Sequence, residues 1–65
     1  MRVRMNGEWA DLEDRTIGDV LRRYGLEEKR VVVEANGEII ERALWDSTPL
    51  KDGMVLEIVH FVGGG

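Results

Sequence analysis

The sequence predicts a small α+β domain, a mixed sheet of four or five strands with one helix packed on one face. Two strand–turn–strand segments, each centred on an Asn-Gly pair, lie on either side of a single amphipathic helical segment. A final run that is partly apolar on both faces is typical of a central strand. We expect residues 1–61 to form the domain and residues 62–65 a flexible C-terminal glycine tail.

The first segment, MRVRMNGEWADL, predicts a hairpin with a two-residue turn at Asn6-Gly7. In that register Arg4 faces Trp9, and we interpret them as a plain cross-strand pair, with a cation–π contact as the alternative. One face is expected to join the core and the other to contact solvent: Met1, Val3, Ala10 and Leu12 on the first, Arg2, Arg4, Trp9 and Asp11 on the second.

The segment EDRTIGDVLRRYGLEEK predicts a short helix. Thr16 and Asp19 have the spacing of a capping box at its start, and Gly25 favours a left-handed stop with Leu26 folding back. The apolar stripe, at helical spacing, comprises Ile17, Val20, Leu21 and Tyr24. We therefore expect Tyr24 to be a core residue and not a catalytic one.

The second half predicts another strand–turn–strand, RVVVEANGEII, then an irregular crossing, ERALWDSTPLKDG, and the last strand, MVLEIVHF. Trp45, in the crossing, is expected to close the open end of the core. The order of strand, strand, helix, strand, short strand and strand predicts a β-grasp, or ubiquitin-like, sheet.

One helix can cover only one side of such a sheet. Val55, Val59 and Phe61 alternate onto the other side of the last strand. They are expected either to form an uncovered apolar patch beside the tail, typical of a partner site, or to be covered by the crossing segment.

Composition excludes several function classes. The net charge of −4 argues against nucleic-acid binding, which needs basic patches. The chain has no cysteine, so it forms no disulfide and offers no thiolate. No apolar run is long enough to cross a membrane, and the start lacks a signal-peptide pattern. We expect a cytoplasmic protein.

The chain ends in Gly63, Gly64 and Gly65, directly after the last strand. A glycine tail can enter a narrow channel and present its terminal carboxylate to a reaction centre. That carboxylate, with an ordinary pKa of about 3.5, must be activated before it can be an acyl donor, most simply as a mixed anhydride with AMP. The sequence has no phosphate-binding loop, and it has no candidate nucleophile that His60 could activate as a general base. We therefore expect the tail to be a substrate, with no catalytic or metal-binding residue in this chain.

The segments MNGE, TIGDVLRRYGL, VVVEANGEIIER and PLKDGMVLEIVHFVGGG together resemble the ThiS family of sulfur carriers in thiamin (thiazole) biosynthesis. The likeness covers essentially the whole chain. Met54 stands where the family usually has an acidic residue, and Glu41 where it often has proline. These departures affect a turn and a loop, not the tail.

The resemblance implies that an E1-like, ThiF-like adenylyltransferase uses ATP and magnesium to adenylate the carboxylate of Gly65. Sulfur from a persulfide donor then replaces AMP to give a thiocarboxylate, which a ThiG-like thiazole synthase consumes. Gly63 and Gly64 would lengthen the tail and keep it narrow, because glycine has no side chain. The chain itself binds no cofactor, and its partner-binding residues would be Val55, Val59, Phe61 and Val62.

Other functions remain open at this level. The nearest is a related carrier: the small subunit of molybdopterin synthase, or a carrier for tRNA thiolation. A protein modifier joined through Gly65 to lysines is a second class. A TGS-like binding module, for which the tail has no role, is a third, and a free-standing enzyme is the least favoured.

Overall fold

The computed structural model describes residues 1–61, which form five strands, one α-helix and one 3-10 helix. The strands are β1 (Arg2–Met5), β2 (Glu8–Asp11), β3 (Val31–Ala35), β4 (Glu38–Ile40) and β5 (Val55–His60). The helix α1 spans Ile17–Arg23, and the 3-10 helix spans Arg42–Ser47. The predicted tail and the partner-binding assignment of Val62 lie outside the described residues.

The sheet has the strand order β2-β1-β5-β3-β4, so the last strand lies in the centre, as predicted. It runs parallel to β1 and antiparallel to β3. Two hairpins therefore flank β5, and α1 packs across one face of the sheet. This arrangement confirms the predicted β-grasp fold with its mixed sheet and single α-helix.

The first hairpin has the predicted register, with Arg4 opposite Trp9. The cation–π alternative was assigned to the wrong arginine, because the guanidinium of Arg2 lies 5.2 Å from the Trp9 ring centre. Diagonal neighbours across a twisted strand pair lie within reach of long side chains. Met1 was also wrong as a core residue: its carbonyl accepts a hydrogen bond from the Leu12 amide, but its side chain is exposed.

The ends of α1 follow the sequence prediction. The Thr16 hydroxyl accepts a hydrogen bond from the Asp19 amide at 3.1 Å, and the Asp19 carboxylate accepts one from the Thr16 amide at 3.2 Å. This reciprocal pair is the predicted capping box. Gly25 has a φ of +69°, and the Leu26 amide folds back to donate to the Leu21 carbonyl at 2.8 Å.

The core lies between α1 and the sheet, and Tyr24 is not part of it. Tyr24 is 49% exposed because α1 ends there, and its side chain lines an open groove with Leu26 and Ile58. The prediction that it belongs to the core was therefore wrong. The buried apolar residues are Val3, Leu12, Ile17, Val20, Leu21, Val33, Ala35, Trp45, Leu50, Met54 and Leu56.

The crossing segment contains the 3-10 helix, which closes one end of this core. Trp45 is buried, as predicted, and its indole Nε1 donates to the Ile40 carbonyl at 2.9 Å. The guanidinium of Arg42 lies 4.4 Å from the centre of the indole ring and donates to the carbonyls of Glu27 and Lys29. Since this segment packs against α1, it leaves the opposite side of the sheet uncovered.

Candidate functional site: the outer face of the sheet

The central strand β5 divides its side chains between a closed face and an open one. Leu56 points toward α1 and is fully buried. Val55 and Glu57, its neighbours along the strand, point to the other side and are exposed. Val59 is 52% exposed and Phe61, just beyond the strand, 54%. Of the two arrangements that the sequence left open, the uncovered one is therefore present.

Neighbouring strands extend this open side into a continuous surface, here called the outer face. Register places Val32 of β3 opposite Val59, and Ile39 of β4 opposite Glu34. Ile39 is 67% exposed, although its type favours burial. The outer face comprises Val32, Glu34, Ile39, Val55, Glu57, Val59 and Phe61. Sequence reasoning found Val55, Val59 and Phe61 but missed Val32 and Ile39, although the alternation of their strands could have indicated them.

Charge on the outer face is distributed unevenly. Glu34 and Glu57 stand directly opposite each other on the antiparallel strands β3 and β5. Arg4 of β1 stands opposite Val55, on the other flank of the central strand. Among residues 1–61, neither Glu34 nor Glu57 forms an ion pair. Glu57 thus lies within the apolar stripe of β5, with Glu34 beside it on β3 and Arg4 on the β1 side.

The asparagines of the two Asn-Gly turns hold β5 in place, a role that sequence reasoning missed. Asn6 adopts a φ of +50° and Asn36 a φ of +51°, as tight hairpin turns require. The Asn6 side chain accepts from the Ile58 amide at 2.7 Å and donates to the Ile58 carbonyl at 3.1 Å. The Asn36 side chain accepts from the Val55 amide at 2.9 Å. Two turn residues therefore fix the strand that leads to the C-terminus.

The exit of the chain from the sheet is fixed as well. The Phe61 amide donates to the Arg30 carbonyl at 2.9 Å, so the last described residue is tied to the segment before β3. Four residues follow it, and a fully extended chain spans at most about 3.6 Å per residue, or about 14 Å here. A reaction centre that acts on the carboxylate of Gly65 must therefore lie within about that distance of Phe61.

Other kinds of site find no support in the part of the chain that the structure describes. Residues 1–61 contain no group of three or more His, Cys, Asp or Glu side chains that could hold a metal ion. In the same range, no helix has the length and apolar character needed to cross a bilayer.

A β-grasp sheet whose outer face is apolar and exposed defines the chain as a small ubiquitin-like protein. The model of the ThiS family matches residues 3–65, and the chain therefore belongs to the ThiS family. It is 54% identical over 50 residues to a sulfur carrier protein ThiS from Bacillus subtilis, covering 77% of this chain and 76% of that protein. It is 40% identical over 63 residues to a sulfur carrier protein ThiS from Thermus thermophilus, covering 97% and 98%.

Solved structures agree with this assignment. The chain superposes on the crystal structure of a thiamine biosynthesis protein (ThiS) from Geobacter metallireducens with a TM-score of 0.81, at 32% identity and with complete coverage of both chains. The whole chain is also 35% identical to part of a thiazole synthase from Paramagnetospirillum magneticum, of which it spans 20%. That synthase therefore contains a segment similar to this carrier.

Proposed function

We propose that this chain is a sulfur carrier for thiazole formation in thiamin biosynthesis, with the carboxylate of Gly65 as the attachment point. The observation that carries the proposal is the joint match of fold, sequence and glycine end to the ThiS family over residues 3–65. Relatives that are named sulfur carrier protein ThiS favour this pathway over molybdopterin synthesis or tRNA thiolation.

The chemistry starts at the terminal carboxylate. At neutral pH it is an anion that resists nucleophiles. Attack of its oxygen on the α-phosphorus of ATP, in a ThiF-like adenylyltransferase with magnesium, forms an acyl adenylate and releases pyrophosphate. The terminal sulfur of a persulfide then attacks the acyl carbon and displaces AMP. A thiol cleaves the resulting sulfur–sulfur bond reductively and leaves a thiocarboxylate on Gly65.

This chain contributes positioning and not catalysis to these steps. Since it has no cysteine, sulfur can be held only at its terminus. Gly63 and Gly64 have no side chains, so the tail can pass through a narrow opening. The outer face, with Val55, Val59 and Phe61 exposed, is the docking surface, and Val62 is assigned to it from the sequence alone.

The partners follow from the comparisons and the chemistry. Thiazole synthases that contain a segment similar to the whole chain support a ThiG-like partner. A ThiF-like adenylyltransferase and a persulfide donor are required by the activation and sulfur-transfer steps. Because activation consumes ATP, we place the protein in the cytoplasm.

Growth without thiamin tests the pathway. In a bacterial strain that lacks its own ThiS-family carrier, the full-length chain should restore growth without thiamin, and the chain lacking Gly65 should not. A second strain, lacking the small subunit of molybdopterin synthase, is the control and should not be restored. Rescue of the second strain alone would replace the thiazole assignment by the molybdopterin one, and rescue by the chain lacking Gly65 would exclude a carrier function.

A further inference from the structure

The outer face contains a charge arrangement that opposes folding. Glu34 and Glu57 lie directly opposite each other on β3 and β5. Like charges at such positions destabilise a sheet. Glu34 is half-buried, which increases the cost of leaving its charge without a partner. The fold of residues 1–61 supplies no ion pair for either carboxylate, although it pairs Arg22 with Asp19 and Asp46 elsewhere.

Apolar side chains surround these two carboxylates. Val32 and Val59 form the adjacent cross-strand pair on one side, and Ile39 stands beside Glu34 on β4. A partner that covers these apolar groups would exclude water from the carboxylates. Charge pairs strengthen when water is excluded from them, and energetically important contacts in interfaces are typically enclosed in this way.

We infer that the outer face docks the thiazole synthase through an arginine or lysine side chain of the synthase that binds Glu34 and Glu57 together, within the apolar surround. A guanidinium has five N–H donors in a fixed plane and can bridge two carboxylates, which an ammonium does as a point charge. Docking converts the repulsion between the two glutamates into attraction for the partner. The inference rests on the proposed function and specifies how the carrier recognises the synthase.

The position of the pair suits this role. Glu57 lies on the central strand, four residues before Phe61. A cation bound to Glu57 is therefore only four residues away, along the chain, from the last described residue. Contacts here fix the distance and orientation between the synthase and Phe61. The synthases that contain a segment similar to this chain make this enzyme the occupant that the comparisons support.

Binding and stability, measured together, test the inference. Glu34→Gln and Glu57→Gln each remove one negative charge with little change in shape. Each should weaken the binding of full-length carrier to purified thiazole synthase by at least about tenfold, equivalent to about 1.4 kcal/mol. Each should also reduce the dependence of the dissociation constant on salt. The melting temperature of the free carrier should stay the same or rise, because the repulsion is relieved.

Glu38→Gln is the matched control, since Glu38 is exposed on β4 but faces the opposite side of the sheet, beside Ala35. It should leave binding unchanged. Charge reversal by Glu57→Lys should abolish binding. Dissociation constants for both glutamine variants within about twofold of the wild type would overturn the inference, as would weaker binding accompanied by a lower melting temperature. Failure of the wild-type carrier to bind the synthase would instead contradict the proposed function.

Discussion

The two faces of the sheet differ in what they do for the protein. The face under α1 is closed by apolar side chains that are almost completely buried, including Val3, Val33 and Leu56. The outer face leaves Val59 and Ile39 exposed and places two carboxylates opposite each other. One face satisfies the requirements of folding, and the other violates them. In small proteins such violations are expected at functional sites.

Substitutions on β5 should show the largest difference between the two faces in their effect on the free energy of unfolding. Leu56→Ala removes a fully buried side chain and should cost about 2–5 kcal/mol of the free energy of unfolding. Val59→Ala, three residues later on the outer face, should change it by less than about 0.5 kcal/mol while weakening the binding of thiazole synthase. Urea unfolding and a binding titration measure both. Equal losses of stability would show that the outer face is also structural.

The turn asparagines hold β5 in place, and β5 contributes side chains to both faces of the sheet. Asn6→Gly keeps the positive φ without strain but removes two hydrogen bonds to Ile58, and should cost about 1–2 kcal/mol. Asn36→Gly removes one hydrogen bond, to Val55, and should cost about half as much. Both substitutions add the same backbone freedom to the unfolded chain. The difference between their unfolding free energies therefore measures the additional hydrogen bond of Asn6.

Amide hydrogen exchange gives the local readout of the same comparison. Protection of the Ile58 amide should fall more in Asn6→Gly than in Asn36→Gly, since the Asn6 side chain accepts its hydrogen bond. Equal unfolding free energies and equal protection in the two variants would mean that the Asn6 side chain does not hold β5.

The ion pair between Asp14 and Arg23 should make the free energy of unfolding depend on pH. Bidentate hydrogen bonds from Arg23 lower the pKa of Asp14, whose side chain is only 8% exposed, below its ordinary value of 3.8. A carboxyl whose pKa is lowered by folding contributes stability above the unfolded pKa, and that stability is lost as the pH falls through the folded pKa.

Arg23→Gln should therefore be less stable than the wild type at pH 7, and the two proteins should converge in acid, well below pH 3.8. Thermal melts across this range provide the measurement. A difference that persists unchanged into strong acid would assign the effect to packing of the Arg23 side chain instead of its charge.

The smallest effect in the wild-type protein is expected for Gly18→Ala, where α1 meets the 3-10 helix. A Cβ on Gly18 would collide with the Asp46 carboxylate, which pairs with Arg22 at 2.8 Å. In an Asp46→Ala background, Gly18→Ala should stabilise the protein by about 1 kcal/mol through helix propensity. In the wild type most of this gain should be lost, because Asp46 must leave Arg22. The same gain in both backgrounds would exclude the predicted collision.

Local sequence signals predicted most of the fold correctly. The Asn6-Gly7 turn correctly predicted the register of the first hairpin, and the capping box and Gly25 correctly predicted the ends of α1. Errors occurred where local pattern and tertiary position disagree. Tyr24 continues the apolar stripe of the helix, but it falls at the helix end, where its side chain lines an open groove and stays exposed.

The site was only partly predictable for a related reason. Alternation along one strand identifies Val55 and Val59, because it is a property of that strand alone. The opposition of Glu34 and Glu57 depends on the register between β3 and β5, which are far apart in sequence. The hydrogen bonds from Asn6 to Ile58 likewise join distant segments, so no local pattern contains them.

The most direct test of the carrier function is the intact mass of the protein after incubation with ATP, magnesium, a persulfide sulfur source and the adenylyltransferase. The expected result is a mass increase equal to the replacement of one oxygen by one sulfur. The increase should disappear when Gly65 is deleted and remain in the Leu56→Ala protein where that variant is folded. An unchanged mass, with an adenylyltransferase that is active on a known carrier, would contradict the assignment of Gly65 as the site of sulfur attachment.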